Sequence, residues 1–122
     1  MSYALLFPGQ GSQHADMLPW LESEPASAAV VLRMAETLGL DWRERLRDPQ
    51  WRDANRVAQV LLTGASLAAW AALAPRMPGP PAIVAGYSVG EIAAFACAGA
   101  FGIEPALMLA AQRARLMDLS HT

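Results

Sequence analysis

An α/β fold built on a parallel sheet is predicted by three observations. Two short apolar runs, Tyr3 to Phe7 and Ala82 to Ala85, each lead straight into a Gly-containing turn and read as buried strands. Helix-like segments lie between and after them, the alternation that a parallel sheet with crossover helices requires. The 122 residues are 54% hydrophobic and only 16% charged, enough apolar material for one domain's core.

The elements follow in order. The first strand stops at Pro8-Gly9, and Pro8 to Gln13 is a loop with small residues around two Gln side chains. A short helical turn over Asp16 to Leu21 is interrupted by Pro19. A helix is expected from Pro25 to Leu38, since Pro suits a first turn and Gly39 a C-terminal stop. Val31, Met34, Ala35 and Leu38 share its apolar face. Asp41 is expected to cap a short helix carrying Arg43, Glu44, Arg45 and Arg47, whose charges read as a solvated face. Asp53 or Asn55 starts a long helix ending at Pro75. Met77 to Pro81 is a loop before the second strand. A helix then runs to Cys97 with a stop near Gly99, and a last one from Glu104-Pro105 to about Leu119.

Several classes are excluded. Nine basic against eleven acidic residues leave a net charge of −2, without the basic excess of a nucleic-acid binder. All nine basic residues are Arg and none is Lys, which reads as codon usage. One cysteine, Cys97, allows neither an internal disulfide nor a zinc cluster, fits a reducing cytoplasm, and reads as a small hydrophobe. Met1 to Gly11 has no basic n-region of a secretory signal. Val57 to Ala74 is uncharged, but Gln59, Thr63, Gly64 and Ser66 interrupt it, so a buried core helix is expected instead of a membrane span. Trp20, Trp42, Trp51 and Trp70 are expected to pack, His14 to be a loop residue, and His121 to fray at the chain end.

Two segments carry chemistry. Gly86-Tyr87-Ser88-Val89-Gly90 has the G-x-S-x-G pattern between a strand and a helix. A sharp turn there holds Ser88 as an exposed nucleophile, and the N–H of Val89 can meet a developing oxyanion. Glu91 then reads as a helix-start acid. Phe7-Pro8-Gly9-Gln10-Gly11-Ser12-Gln13 follows the other strand, where α/β sheets gather their ligands. Gln10, between two Gly residues, can bring its backbone or side chain to a substrate oxygen.

Together these segments, from Leu5 to about Asp118, resemble the malonyl-CoA:acyl carrier protein transacylases. The resemblance implies the N-terminal part of an α/β-hydrolase-like parallel-sheet core with surrounding helices. It makes Ser88 the acylated nucleophile and places Gln10 and the Val89 N–H at the oxyanion hole. It puts Gln59, in Ala58-Gln59-Val60-Leu61-Leu62, on the pocket wall and Arg113 on the malonyl carboxylate. A planar guanidinium suits that carboxylate, which is what distinguishes malonyl from acetyl. Arg115 is the rival, and lies roughly 200° away around the helix, so only one of the two can face the pocket.

The elbow residues Tyr87 and Val89 look most like the malonyltransferase (epsilon) subunit of malonate decarboxylase, where fatty-acid enzymes mostly have His and Leu. That likeness implies malonyl-CoA as donor and, as acceptor, an acyl carrier protein bearing a phosphopantetheine-type group. Other decarboxylase subunits are possible partners on this reading; no metal or redox cofactor is implied. Fatty-acid synthesis is the alternative pathway. A start so close to the first strand favours a stand-alone protein over a polyketide-synthase domain. The family's catalytic His and its ferredoxin-like subdomain lie further downstream, and two parallel strands make a poor sheet. Residues 1–122 are therefore expected to be the N-terminal portion of an acyltransferase domain, inactive alone and exposing apolar surface. A serine hydrolase or thioesterase would share the elbow but leave Pro8 to Gly11 and Arg113 without a role. A non-enzymatic interaction fragment is the remaining alternative.

Overall fold

The computed structural model describes residues 2–120; His121 lies outside them. Two strands, β1 (Ala4–Phe7) and β2 (Ile83–Gly86), pair in parallel, Ala4 with Ile83 and Phe7 with Gly86. The helices are α1 (Ala28–Leu38), α2 (Trp42–Arg45), α3 (Pro49–Arg52), α4 (Asn55–Leu73), α5 (Gly90–Cys97) and α6 (Ile103–Ser120). The expected α/β architecture is present, with helices outnumbering strands.

The core is helical and centred on α4. Its buried surface runs from Val57 to Ala65 and on through Leu67, Ala68 and Ala72. Helices α1 and α6 pack on it, so the long uncharged segment is a core helix of this fold. Gly64 permits the close approach of α1, because a Cβ there would lie 2.6 Å from the Met34 sulfur. One apolar cluster joins Met34, Trp42, Leu46, Trp51, Val57, Leu61 and Leu107. A second joins Phe7 to Leu21, Val30, Ala68, Ala93 and Ala106. Ser27, fully buried, donates from Oγ to the Ala68 carbonyl at 2.6 Å and ties the start of α1 to α4.

Strand alternation places Leu5, Phe7 and Val84 on the side packed against the second cluster. The opposite side is bare. Leu6 is 71% and Ile83 63% exposed, although parallel sheets are normally covered on both faces. Phe95 on α5 is likewise exposed.

Several expectations change in detail. Pro25 opens a 3₁₀ turn, Pro25–Ser27, and the α-helix proper starts at Ala28. Its buried residues are Val30, Met34 and Ala35; Val31 and Leu38 are only partly buried. Gly39 ends it with φ of +110°. Asp41 gives α2 no side-chain cap, and α2 ends at Arg45, before Arg47. Helix α3, capped by Asp48 on the Gln50 N–H, was not foreseen. Trp42 and Trp51 are core residues and Trp70 is partly buried, but Trp20 is 44% exposed. Cys97 is half-buried at the end of α5, and burial pushes its thiol pKa up.

Arg43 departs most from a solvated face. Its guanidinium holds the Glu22 carboxylate through Nε at 2.8 Å and also donates to the carbonyls of Met17 and Leu18. It lies 4.6 Å from the Trp42 ring centre as well. One long side chain thus ties the loop after Gln13 to α2. The hydrogen bond from Arg43 lowers the Glu22 pKa from its ordinary 4.5. A lowered carboxylate pKa adds stability above the unfolded-state value and loses it as pH falls through the folded-state value. Glu22→Gln is therefore expected to lower the neutral-pH stability by at most about 1 kcal/mol, since the carboxylate is partly exposed. Thermal melts should show this difference shrinking to nothing as pH falls through the carboxylate range.

Candidate active site

The strand pairing puts two loops at one end of the sheet. Phe7 and Gly86 are partners, so the loops that follow them leave side by side. The Tyr87 N–H donates to the Phe7 carbonyl at 3.0 Å and seals that junction. Backbone packing is too tight for side chains here. A Cβ on Gly86 would sit 2.1 Å from the Gly90 backbone, and one on Gly90 would sit 2.5 Å from the Phe7 oxygen. These two contacts explain both glycines of the pattern.

Ser88 sits at the apex with φ of +56°, a left-handed conformation that non-glycine residues seldom adopt. It is exposed, while Val89 is 1% exposed and anchors the turn beneath it. The N–H groups of Gly90, Glu91 and Ile92 bond to the carbonyls of Tyr87, Ser88 and Val89. The Val89 N–H precedes this ladder at the positive end of α5. Glu91 lies in the first turn of α5, favourably placed for its charge.

Helix α6 brings Arg113 to the serine. Its Nη2 lies 2.9 Å from Ser88 Oγ, and its Nη1 lies 2.6 Å from Gln59 Oε1 and 3.2 Å from the Met117 sulfur. Arg113 is half-buried and Arg115 is exposed, so the structure separates the two rivals. Gln59 is fully buried in α4, and its Nε2 donates to Gln10 Oε1 at 2.5 Å. Gln10 Nε2 in turn donates to Asn55 Oδ1 at 2.9 Å. Gln10, Gln59, Ser88 and Arg113, named from four separate stretches of sequence, thus form one connected cluster. The Gln10 side chain is engaged at both ends but keeps a second Nε2 N–H, so its backbone and its side chain both remain able to meet a substrate. The loop around it is braced by Gln13, whose Oε1 accepts from the Gly11 N–H at 2.8 Å.

The cluster opens into a cleft of about 610 Å³ between α5 and α6, within the usual size of ligand sites. Ser88, Glu91, Gln112, Arg113 and Ser120 supply polar groups, and Ile92, Phe95, Phe101 and Leu116 supply apolar wall. An exposed serine at a strained turn, touched by a guanidinium, suits an acyl group that carries a negative charge. His14 is exposed and lines a different cavity, beside Leu6 and Leu18.

Sequence reasoning missed the far end of the cluster. In the sequence Asn55 reads only as a possible helix start, and Asp118 only as about where the family resemblance stops. Asn55 Nδ2 donates to Asp118 Oδ1 at 2.8 Å, joining α4 to α6 across 63 residues. No local pattern announces a pairing at that separation.

Comparison with known proteins gives a consistent likeness. The malonyl CoA-acyl carrier protein transacylase of Mycobacterium tuberculosis is 42% identical over 115 residues, covering 90% of this chain and 38% of that protein. The crystal structure of an acyl carrier protein S-malonyltransferase from Vibrio cholerae superposes with a TM-score of 0.84 at 31% identity, covering 97% of this chain and 40% of that one. A malonyl-transacylase in complex with its type II polyketide acyl carrier protein superposes with a TM-score of 0.83 at 30% identity, covering 96% and 39%. The chain thus spans about 38% of the length of the curated relatives it matches. The acyl transferase domain model matches residues 4–121, nearly the whole chain, and the chain belongs to the acyl transferase domain family.

Proposed function

We propose that this chain carries the nucleophile half of a malonyl-CoA:acyl carrier protein transacylase site. The observation that carries this reading is Ser88 Oγ, held at a strained elbow 2.9 Å from the Arg113 guanidinium. In malonyl thioesters the free carboxylate carbon lies two bonds from the reacting carbonyl carbon, roughly 2.5 Å away. A cation touching the nucleophile is therefore at the right range to hold that carboxylate while Oγ attacks.

The chemistry is a two-step acyl transfer. Ser88 Oγ attacks the thioester carbonyl of malonyl-CoA, and the oxyanion is met by the backbone N–H groups of Val89 and Gln10. The Ser88 proton passes to a general base and from it to the departing sulfur, so the thioester C–S bond breaks, CoA leaves as its thiol, and Ser88 carries a malonyl ester. The carrier's pantetheine thiol then attacks that ester, the ester C–O bond breaks, and the thiol proton passes through the same base to Ser88 Oγ. Arg113 donates to Oγ and has no acceptor, so it leaves the Ser88 O–H free and cannot be the base. In the family resemblance that base is a His with no counterpart among these residues. No metal or redox group enters this scheme.

The relatives' names support an acyl carrier protein acceptor, and with it the fatty-acid-synthesis alternative. The malonate decarboxylase context inferred from Tyr87 and Val89 gains no support from them. On this reading the protein works in solution in the cytoplasm.

Three outcomes are expected. The 122-residue chain alone should stay unmodified by malonyl-CoA, whereas the same residues joined to the family's downstream His-bearing part should gain one malonyl mass that Ser88→Ala abolishes in intact-mass spectra. Arg113→Ala should cut malonyl transfer relative to acetyl transfer by about thirtyfold or more, corresponding to about 2 kcal/mol or more for a desolvated charge pair. The malonyl-Ser88 species should discharge to a phosphopantetheine carrier of the fatty-acid type in preference to one bearing a dephospho-CoA-derived group. Preferential discharge to water would instead identify a hydrolase.

A further inference from the structure

Five side chains form one unbroken run from Arg113 through Gln59, Gln10 and Asn55 to Asp118, and Arg113 also reaches Ser88. Its two ends differ in kind. Arg113 can only donate hydrogen bonds, and an ionised Asp118 can only accept them. Between them stand three amides, each with one donor and one acceptor end. The Arg113 N–H groups require the oxygen of Gln59, so the nitrogen of Gln59 turns to Gln10. Gln10 must then present its oxygen to Gln59 and its nitrogen to Asn55. Asn55 completes the sequence with its oxygen toward Gln10 and its nitrogen toward Asp118. Turning over any one amide sets donor against donor or acceptor against acceptor.

We infer that Asp118, acting through Asn55, is a positioning residue for the Pro8 to Gln13 loop. Gln59 is fully buried and held from the Arg113 side, whereas Gln10 is exposed on a loop and Asn55 is half-buried at the first turn of α4. Gln13 braces the loop through the Gly11 N–H and Asp53, and Asp118, five residues beyond Arg113 on α6, adds a fixed point for the Gln10 side chain itself. The same helix holds both ends of the run. Gln10 is gripped at its oxygen and its nitrogen, and its backbone N–H is held in place beside the Ser88 turn. The effect on catalysis rests on the proposed acyl transfer; the direction of the hydrogen bonds does not.

The test is a swap of partners, read by NMR in this chain and by adduct formation in protein that also carries the family's downstream part. Asn55→Asp puts two acceptors face to face and breaks the run. Adding Asp118→Asn to it restores a donor opposite an acceptor, with the donor now on α6. Asp118→Leu removes the acceptor outright and serves if Asn55→Asp does not fold. Side-chain amide NMR signals of Gln10 and Gln59 report the geometry, and the rate of malonyl adduct formation per folded molecule reports its use. Asn55→Asp and Asp118→Leu should shift both amide signals and slow the adduct roughly tenfold, the loss of one charge-assisted hydrogen bond. The double variant should return both readouts most of the way. A merely structural tie between α4 and α6 would lower Tm without moving the rate per folded molecule. The inference is overturned if the Gln10 signals stay in place in the single variants, or if the double variant behaves like Asn55→Asp. Amide signals that follow the swap in protein that also carries the family's downstream part, yet forms no adduct, would sink the transacylase reading and leave the positioning role standing.

Discussion

Everything at the site depends on the level at which the two strands stop. Phe7 and Gly86 are paired, and the Tyr87 N–H reaches back to the Phe7 carbonyl. That single register makes the glutamine loop and the serine turn emerge together. A slip by one residue would turn one strand's faces over relative to the other and carry Gln10 away from Ser88. Gly86 and Gly90 exist to let the backbones close to this distance, and the strained φ of Ser88 persists because the buried Val89 and the contacts around Gly90 overdetermine the turn.

Burial of Gln59 is the second decision. A primary amide without exposure in an otherwise apolar helix would be costly if unpaired. Here its oxygen meets a guanidinium and its nitrogen meets another amide. The core helix thereby becomes part of the site without a hole in the core. Arg113 gains as well: half-buried, it is met by an amide oxygen, a hydroxyl and a thioether, none of them a carboxylate. A cation held only by neutral groups keeps its charge available for an anionic ligand.

What was legible in the sequence was what is local. The elbow could be read because its glycines, its serine and the flanking strand and helix lie within one short stretch. Gln10 could be read because it directly follows a strand. Arg113 was singled out by the family resemblance; helical geometry said only that Arg113 and Arg115 cannot both face the pocket, and their exposures separate them. Long-range pairings were silent. Arg43 looked like one charge in a solvated cluster, because Glu22 and the carbonyls of Met17 and Leu18 lie some two dozen residues upstream. Asn55 and Asp118 each had a sufficient local reading, and neither reading pointed to the other. Shifted helix starts, such as Ala28 in place of Pro25, reflect the 3₁₀ geometry that a proline-led first turn adopts.

The pairing of Ala4 with Ile83 also has a kinetic side. The first strand stands at the start of the chain and the second about two thirds of the way along it, with helices α1 to α4 between them. Those helices and their short connections are made of near-neighbour contacts, which close quickly, whereas the sheet must close a loop most of the chain long. Synthesis runs from the N-terminus, so β1 waits, exposed and unpaired, until Ile83 has left the ribosome. The serine turn follows β2 immediately. The partner of the first strand and the reactive residue are therefore delivered together, and the site can exist only after the sheet has found its register.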